Sequence, residues 1–339
     1  MTVDESKKKK APIPKSDEKK SPAQKAEDKT GPREENEPEK PDNGLLSKLK
    51  WPNLPTKQAI GIPLAILVIA LLITGYTMLT IGSPLHLGVD FKGGTQVTFK
   101  TDQTDAQLSS EFSSYPLTLI THDPTLGTTQ LQFSDMTADQ QNNLMDYVNA
   151  HYQDVTLDQM GSTISSTNQD QAVLGVIIAF AAMAAVIFII FRDFIPCVAV
   201  ITSAFSDIMC AVALMNVFHI ELSFGTFAAL LMLIGYSVDT DILLTTKVLG
   251  EKKYLDKKIG ACRATGLTMT GAALAAFIVL HLFSTYSFVF GFATIPTLSD
   301  ISTVMIFGLL ADIMNTWFLN AGLLKWYMES PMGRAKYGK

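Results

Sequence analysis

Six stretches of this chain are apolar enough and long enough to cross hydrocarbon, and one of them, residues 225–247, carries two acids near one end. A hydrocarbon core of about 30 Å needs about 20 helical residues. Backbone polar groups at that depth must bond internally, which selects helix. The stretches are residues 59–80, 172–191, 195–217, 222–246, 265–283 and 303–326. Pro63 falls in the first turn of the first, where a missing N–H costs little, and Gly75 is tolerated in a membrane helix.

The mean hydropathy of +0.23 and the 17% charged content average two unlike populations. Most charge lies in a polar tail, a central block at 81–170 and short loops. Residues 1–50 have six prolines and no aromatic residue, too little apolar area to offset ordering entropy, so this part is expected to be disordered. Its Lys7–Lys10 run is followed closely by acids and reads as a solvated tail without nucleic-acid contact. Residues 45–51 form a short amphipathic lead-in suited to the membrane surface. The first apolar stretch is then a retained anchor rather than a signal peptide. Cys197, Cys210 and Cys262 have no metal-ligand spacing and read as small buried residues, giving no disulfide or zinc framework.

The central block alternates like a small mixed fold. GVDFKGGTQVTFK starts with a glycine turn and continues as a strand through Thr95, Val97 and Phe99. A helix over 105–113, strands over 116–121 and 129–133, and a helix capped by Thr137 and running to Tyr152 follow. Segments 155–157 and 161–165 supply a last strand. The order β-α-β-β-α-β predicts a ferredoxin-like sheet. Gly93-Gly94 lacks the spacing of a phosphate loop, and His122-Asp123 reads as a solvated strand end rather than a metal site.

Lys92 and Lys100 are the only bases in 81–170, against eleven acids, whereas 247–263 carries six bases and two acids. The positive-inside rule then puts both termini in the cytoplasm and the central block outside. The expected architecture is an all-α polytopic membrane protein with six transmembrane helices and one extracytoplasmic α+β ferredoxin-like domain between helices 1 and 2. Its parts are a disordered cytoplasmic tail and lead-in (1–58), helix 1 (59–80), the outer domain (81–170), helices 2–6 (171–328) with a basic cytoplasmic loop (247–263), and a cytoplasmic C-terminal tail (329–339). Residues 284–302 are expected to form an outer re-entry or surface helix. Connections of one to four residues after spans two and three make those helices antiparallel neighbours.

An acid inside a membrane span is costly enough to point to function. Asp239 is the leading candidate, because Gly235 and Met232 share its helical face and a small residue permits close helix approach. Asp241 points about 200° away and is given an entry or structural role. Asp312 shares a face with Gly308 and Asn315, with Asn320 beyond. Asp207 has Ser203 four residues before it and Cys210 three after. Thr265, Thr268 and Thr270 offer hydroxyls on a small-residue surface of the fifth span. For each of these, helix packing or a neutral hydrogen-bonded acid is the plain alternative. Low dielectric raises a carboxyl's pKa, which makes proton binding accessible near neutrality. A charge crossing the membrane potential gains roughly 2.3 kcal/mol per 100 mV. No base lies deep in any span, so a cationic partner would have to come from another chain. The outer block has no Ser/His/Asp or metal cluster, so catalysis, a cofactor and a bound metal are not expected.

Three motifs in order carry a family resemblance: GVDFKGGTQVTF at 88–99, RDFIP at 192–196 and GYSVDTDILL at 235–244. The chain resembles the SecF subunits of the SecD/SecF protein-export complex, in their archaeal form. That resemblance spans residues 55–328 and implies a six-helix bundle related to the resistance-nodulation-division exporters. It also implies pairing with a SecD-like subunit, action beside the Sec translocon channel on a translocating polypeptide, and proton-driven movement of outer domains. The paired subunit's Val-Asp-Ala-Asn pattern matches 238–241 with Asp239 in the acid position, while Thr245-Thr246-Lys247 departs from the bacterial Asp-Arg and Arg-Glu continuation. Two other readings fit the same residues: a structural assembly factor that holds a partner or substrate through 81–170, and a small-molecule exporter acting alone.

Overall fold

The structure, a computed structural model, describes residues 55–123, 127–250, 255–287 and 295–337. The expected tail, its Lys7–Lys10 run and the lead-in at 45–51 lie outside them. Among the described residues six helices are long and apolar enough to span a membrane: α1 Thr56–Ile81, α5 Ser162–Phe191 (its apolar part Ile164–Phe191), α6 Phe194–Val217, α7 Phe224–Leu249, α8 Leu255–Thr285, and a last span Pro296–Glu329. The last is compound. Helix α9, Pro296–Met314, passes into a π-helical turn, Asn315–Asn320, and then into α10, Ala321–Glu329.

Between α1 and α5 lies the mixed domain: α2 Val89–Lys92, β1 Gly94–Lys100, α3 Asp105–Glu111, β2 Leu117–Asp123, β3 Thr128–Phe133, α4 Ala138–His151 and β4 Thr156–Met160. The sheet order is β2-β3-β1-β4 with every neighbouring pair antiparallel, the ferredoxin-like arrangement. Val97 faces Leu131 on one side and Leu157 on the other. With Phe99, Leu108, Phe112, Phe133, Leu144 and Val148 it forms a closed apolar core. Thr104 and Thr137 start their helices with capping boxes completed by Gln107 and Gln140. Gly94 has a positive φ of 107°, and a side chain there would run into the carbonyl of Phe133, so only glycine fits.

Several expected boundaries give way. The 161–165 segment is no strand: Gly161 precedes the helix that becomes span two. Periodicity over five residues with Ile164 as the one large apolar side chain could not separate the two. The expected basic loop at 247–263 is mostly helical, since α7 continues to Leu249 and α8 starts at Leu255. Charged side chains do not end a helix that leaves hydrocarbon and continues into water. The re-entry or surface helix expected over 284–302 falls partly on 288–294, outside the described residues, and its described ends belong to the spans on either side. Thr285 ends α8, and Pro296, well placed at a first helical turn, starts α9. Residues 331–337 of the expected tail form a further helix, α11 Pro331–Tyr337.

The mixed domain is tied to the spans through the GVDFKGG segment. Leu222 exchanges backbone bonds with it, donating to His86 and accepting from Gly88 at 2.7 and 3.0 Å. Asp90 accepts from the backbone N–H of Phe224 at 2.8 Å, satisfying a free donor at the start of α7. Phe91 is buried against Phe224 and Phe227. From α5, Asn168 donates to the carbonyl of Asp90 and Gln169 to that of Phe91. The glycine-rich motif is therefore the joint between sheet and bundle.

Candidate functional site: buried carboxyls in the helix bundle

Tight helix contacts create the site. A side chain at Gly308 on α9 would collide with Leu233 of α7, and one at Gly266 on α8 with Trp317 of the π-helical turn. Small residues at these crossings let three helices approach around a shared interior. Gly235, expected to play that part, lies on the outside of α7 with no atom within 4 Å of a would-be side chain.

Asp207, Asp241 and Asp312 are all completely buried in this interior. Asp207 on α6 accepts hydrogen bonds from Ser237 at 2.5 Å and from the amide of Asn315 at 2.6 Å. Asp241 on α7 accepts at Oδ1 from Thr316 at 2.9 Å and from the amide of Asn320 at 2.8 Å. Oδ1 of Asp312 lies 3.0 Å from the same Thr316 hydroxyl, and Ser237 and Thr270 lie close to it. Each of these donors is a neutral side chain. The Oδ2 atoms of Asp241 and Asp312 are buried without a hydrogen bond. By helical rise, Asp312 lies at the middle of the last span and Asp207 and Asp241 within about 7 Å of the middle of theirs.

The expected facing of the fourth-span acids is reversed. Asp241 points inward, on the stripe that also buries Leu233, Ser237, Leu244 and Thr245, whereas Asp239 lies on the exposed side with Gly235 and Met232. The 200° separation was legible, but which side is interior depends on the residues of α6 and α9. Thr265 and Thr268 also point outward and bond back to the carbonyls of Ala261 and Ala264 in their own helix. Of the three threonines only Thr270 is buried. Asn315 joins the cluster by bonding to Asp207 rather than to Asp312 of its own helix.

Thr316, Ser237 and Asn320 were not singled out as partners from the sequence. The signal was available in the polar run NTWFLN within an apolar span. The π-helical winding there brings Asn315, Thr316 and Asn320 all to the buried side.

Two polar junctions flank the bundle. At the sheet end, Gln132 of β3 donates to Glu221, between α6 and α7. Burial raises the Glu221 carboxyl to about 7, against the lowering effects of Gln132 and Lys92. A cleft of about 1150 Å³ opens beside it, with Gln96, Thr98, His86, His219 and Asp158 among its lining residues. At the opposite end, Asp193 accepts from Tyr337 at 2.6 Å and Tyr327 at 3.1 Å and pairs with Lys336 at 3.0 Å. Burial alone would raise the Asp193 carboxyl; these three partners outweigh it and hold it below the usual range. His122, read as a solvated strand end, bonds Asp105 at 2.5 Å and Thr129 at 2.8 Å.

Comparison with known proteins agrees with this architecture. The family description "Protein export membrane protein SecD/SecF, C-terminal" matches residues 140–330, and "SecD/SecF GG Motif" matches 79–105. A "Protein-export membrane protein SecF" from Methanolacinia petrolearia is 42% identical over 273 residues, covering 80% of this chain and 94% of the relative. One of the same description from Haloferax volcanii is 41% identical, with 80% and 92% covered. In fold, the chain resembles the crystal structure of SecDF, a translocon-associated membrane protein from Thermus thermophilus, with a TM-score of 0.67 at 16% identity. That likeness covers 81% of this chain and 38% of the longer protein. Sequence motifs, helix count and the sheet between the first two spans converge: this multi-pass membrane protein belongs to the SecF family of protein-export membrane proteins.

Proposed function

We propose that the chain is an accessory subunit of the Sec protein-export machinery, assisting polypeptide passage together with a SecD-like subunit and drawing on the proton-motive force. The observation that carries the proton reading is the cluster of Asp207, Asp241 and Asp312, three buried carboxyls on three spans bonded, among the described residues, to neutral donors. A fully ionised cluster without a cation would be very costly. Uptake and loss of protons is the chemistry open to it, and a change in charge inside a closely packed bundle alters which helix arrangement is favoured. The joint at GVDFKGG gives that change a route to the sheet domain.

On this reading both termini lie in the cytoplasm and the sheet domain outside, as the distribution of bases supports. The exposed Asp239 then faces the SecD-like subunit, since a carboxyl on the outer face of a span needs a polar partner. The test is a pulse-chase secretion assay with and without an uncoupler, comparing wild type with Asp241→Asn, Asp312→Asn and a deletion of the sheet domain. Loss of the uncoupler-sensitive part of export in both Asn variants supports proton coupling. Tolerance of both, with sensitivity to the deletion, favours a structural factor that holds its partner or substrate.

A further inference from the structure

Asp241 and Asp312 stand on different spans, yet one hydroxyl touches both. Thr316 Oγ1 is 2.9 Å from Oδ1 of Asp241 and 3.0 Å from Oδ1 of Asp312, and all three residues are fully buried. A hydroxyl has one hydrogen to donate and lone pairs to accept with. It cannot donate to two ionised carboxylates at once. Both contacts are satisfied when one carboxyl is protonated and donates to Thr316 while Thr316 donates to the ionised one.

We infer that Thr316 is the proton relay between Asp312 and Asp241, an assignment that rests on the proton-coupling reading above. The step balances without any further reactant. The Oδ1–H bond of Asp312 breaks as that hydrogen binds to Thr316 Oγ1, and the original hydroxyl hydrogen of Thr316 passes to Oδ1 of Asp241. Threonine ends as it began, one proton has moved from α9 to α7, and the negative charge has moved the other way. Both heavy-atom distances are within the reach required for proton transfer.

The local winding holds the relay in place. Asn315 and Asn320 are five residues apart, which would set them roughly 140° apart on a regular α-helix. The π-helical turn brings both inward, Asn315 to Asp207 and Asn320 to Asp241, with Thr316 beside them. Such turns recur at functional positions in helices. Asn320 fixes Asp241 from the side and leaves the hydroxyl of Thr316 as the group shared with Asp312.

The experiment compares Thr316→Val, Thr316→Ser, Asp241→Asn and Asp312→Asn in the full chain, expressed in its native membrane at matched levels. The uncoupler-sensitive secretion rate is read alongside the infrared carboxyl bands of the purified, reconstituted protein. Thr316→Val is expected to lower the rate by about tenfold or more and to shift the bands that the Asp241→Asn and Asp312→Asn variants remove. Thr316→Ser, which restores the hydroxyl, is expected to stay close to wild type in both. If both Asn variants lose coupling while Thr316→Val keeps it, the relay is wrong and proton coupling stands. If the Asn variants keep coupling, the proton-coupling reading itself fails, and the relay with it. Equal loss in the Ser and Val variants also overturns the relay, because the hydroxyl would then not be what matters. Should the valine variant not accumulate, Thr316→Ala removes the same hydroxyl without added bulk and carries the same expectations.

Discussion

Asn320, in the last span, donates its side-chain amide to Asp241 of the fourth span at 2.8 Å, inside a fully buried interior. The bond crosses between helices that no loop joins directly, so it contributes to their registration as well as to the placement of the acid. Asn320→Leu is expected to destabilise the protein by about 1 kcal/mol, the scale of an interhelical hydrogen bond in a membrane. Thermal unfolding of the purified protein in detergent measures it; an unchanged midpoint would mean that the bond contributes nothing to stability.

Gly308 and Leu233 form a close contact between α9 and α7, because a side chain at 308 would overlap that of the fully buried leucine. Gly308→Ala is expected to cost about 1 to 3 kcal/mol, the usual range for overpacking. Adding Leu233→Ala should recover part of the loss by making room. Additive destabilisation in the double variant would show that the two positions do not compete for space.

Glu221 makes the sheet-to-bundle joint sensitive to pH. Its folded-state pKa, about 7, lies above its ordinary 4.5 because burial penalises the charged form. Between these values the folded state retains a proton that the unfolded state has released. The contribution of this group is therefore most favourable below about pH 4.5, and stability is lost as pH rises toward 7. Glu221→Gln, which remains neutral and able to bond Gln132, is expected to be more stable than wild type above pH 7 by up to roughly 3 kcal/mol. The pH dependence of thermal unfolding for the two proteins tests this, and parallel curves would contradict it.

Asp193 works in the opposite sense. Its pKa is held below the ordinary range by Tyr337, Lys336 and Tyr327, so its contribution is present above the ordinary carboxylate pKa and lost as pH falls through the lowered folded value. Asp193→Asn removes the charge that holds Lys336 and weakens both tyrosine bonds. It is expected to release α11, and tryptic cleavage at Arg334 and Lys336 should become faster at neutral pH. Unchanged cleavage would mean that α11 is held by its apolar contacts alone.

The fold was largely legible because its signals are local. Apolar length exposed the spans, and alternation at Thr95, Val97 and Phe99 with the caps at Thr104 and Thr137 marked the sheet domain. The four acids of interest were also visible, since a carboxyl in an apolar run stands out whatever surrounds it. Of their partners, Asn315 and Thr270 were visible, while Ser237 and Thr316 were not. Whether Asp239 or Asp241 faces inward depends on α6 and α9, and Asn320 reaches Asp241 beside Thr316 where the last span takes a π-helical turn. Hydropathy records neither helix neighbours nor a change in winding. The same limit explains Gly235, which shares the helical face of Asp239, while the close crossings fall at Gly266 and Gly308.

The most direct measurement for the central claim is the uncoupler sensitivity of export in Asp241→Asn. Pulse-labelled secretion is followed in cells carrying only this variant at wild-type membrane levels, before and after the proton gradient is dissipated. The expected result is a slow rate, close to that of uncoupled wild type, that dissipating the gradient does not lower further. An Asp241→Asn variant that secretes at the wild-type rate and still slows on addition of the uncoupler would contradict a coupling role for the buried carboxyl.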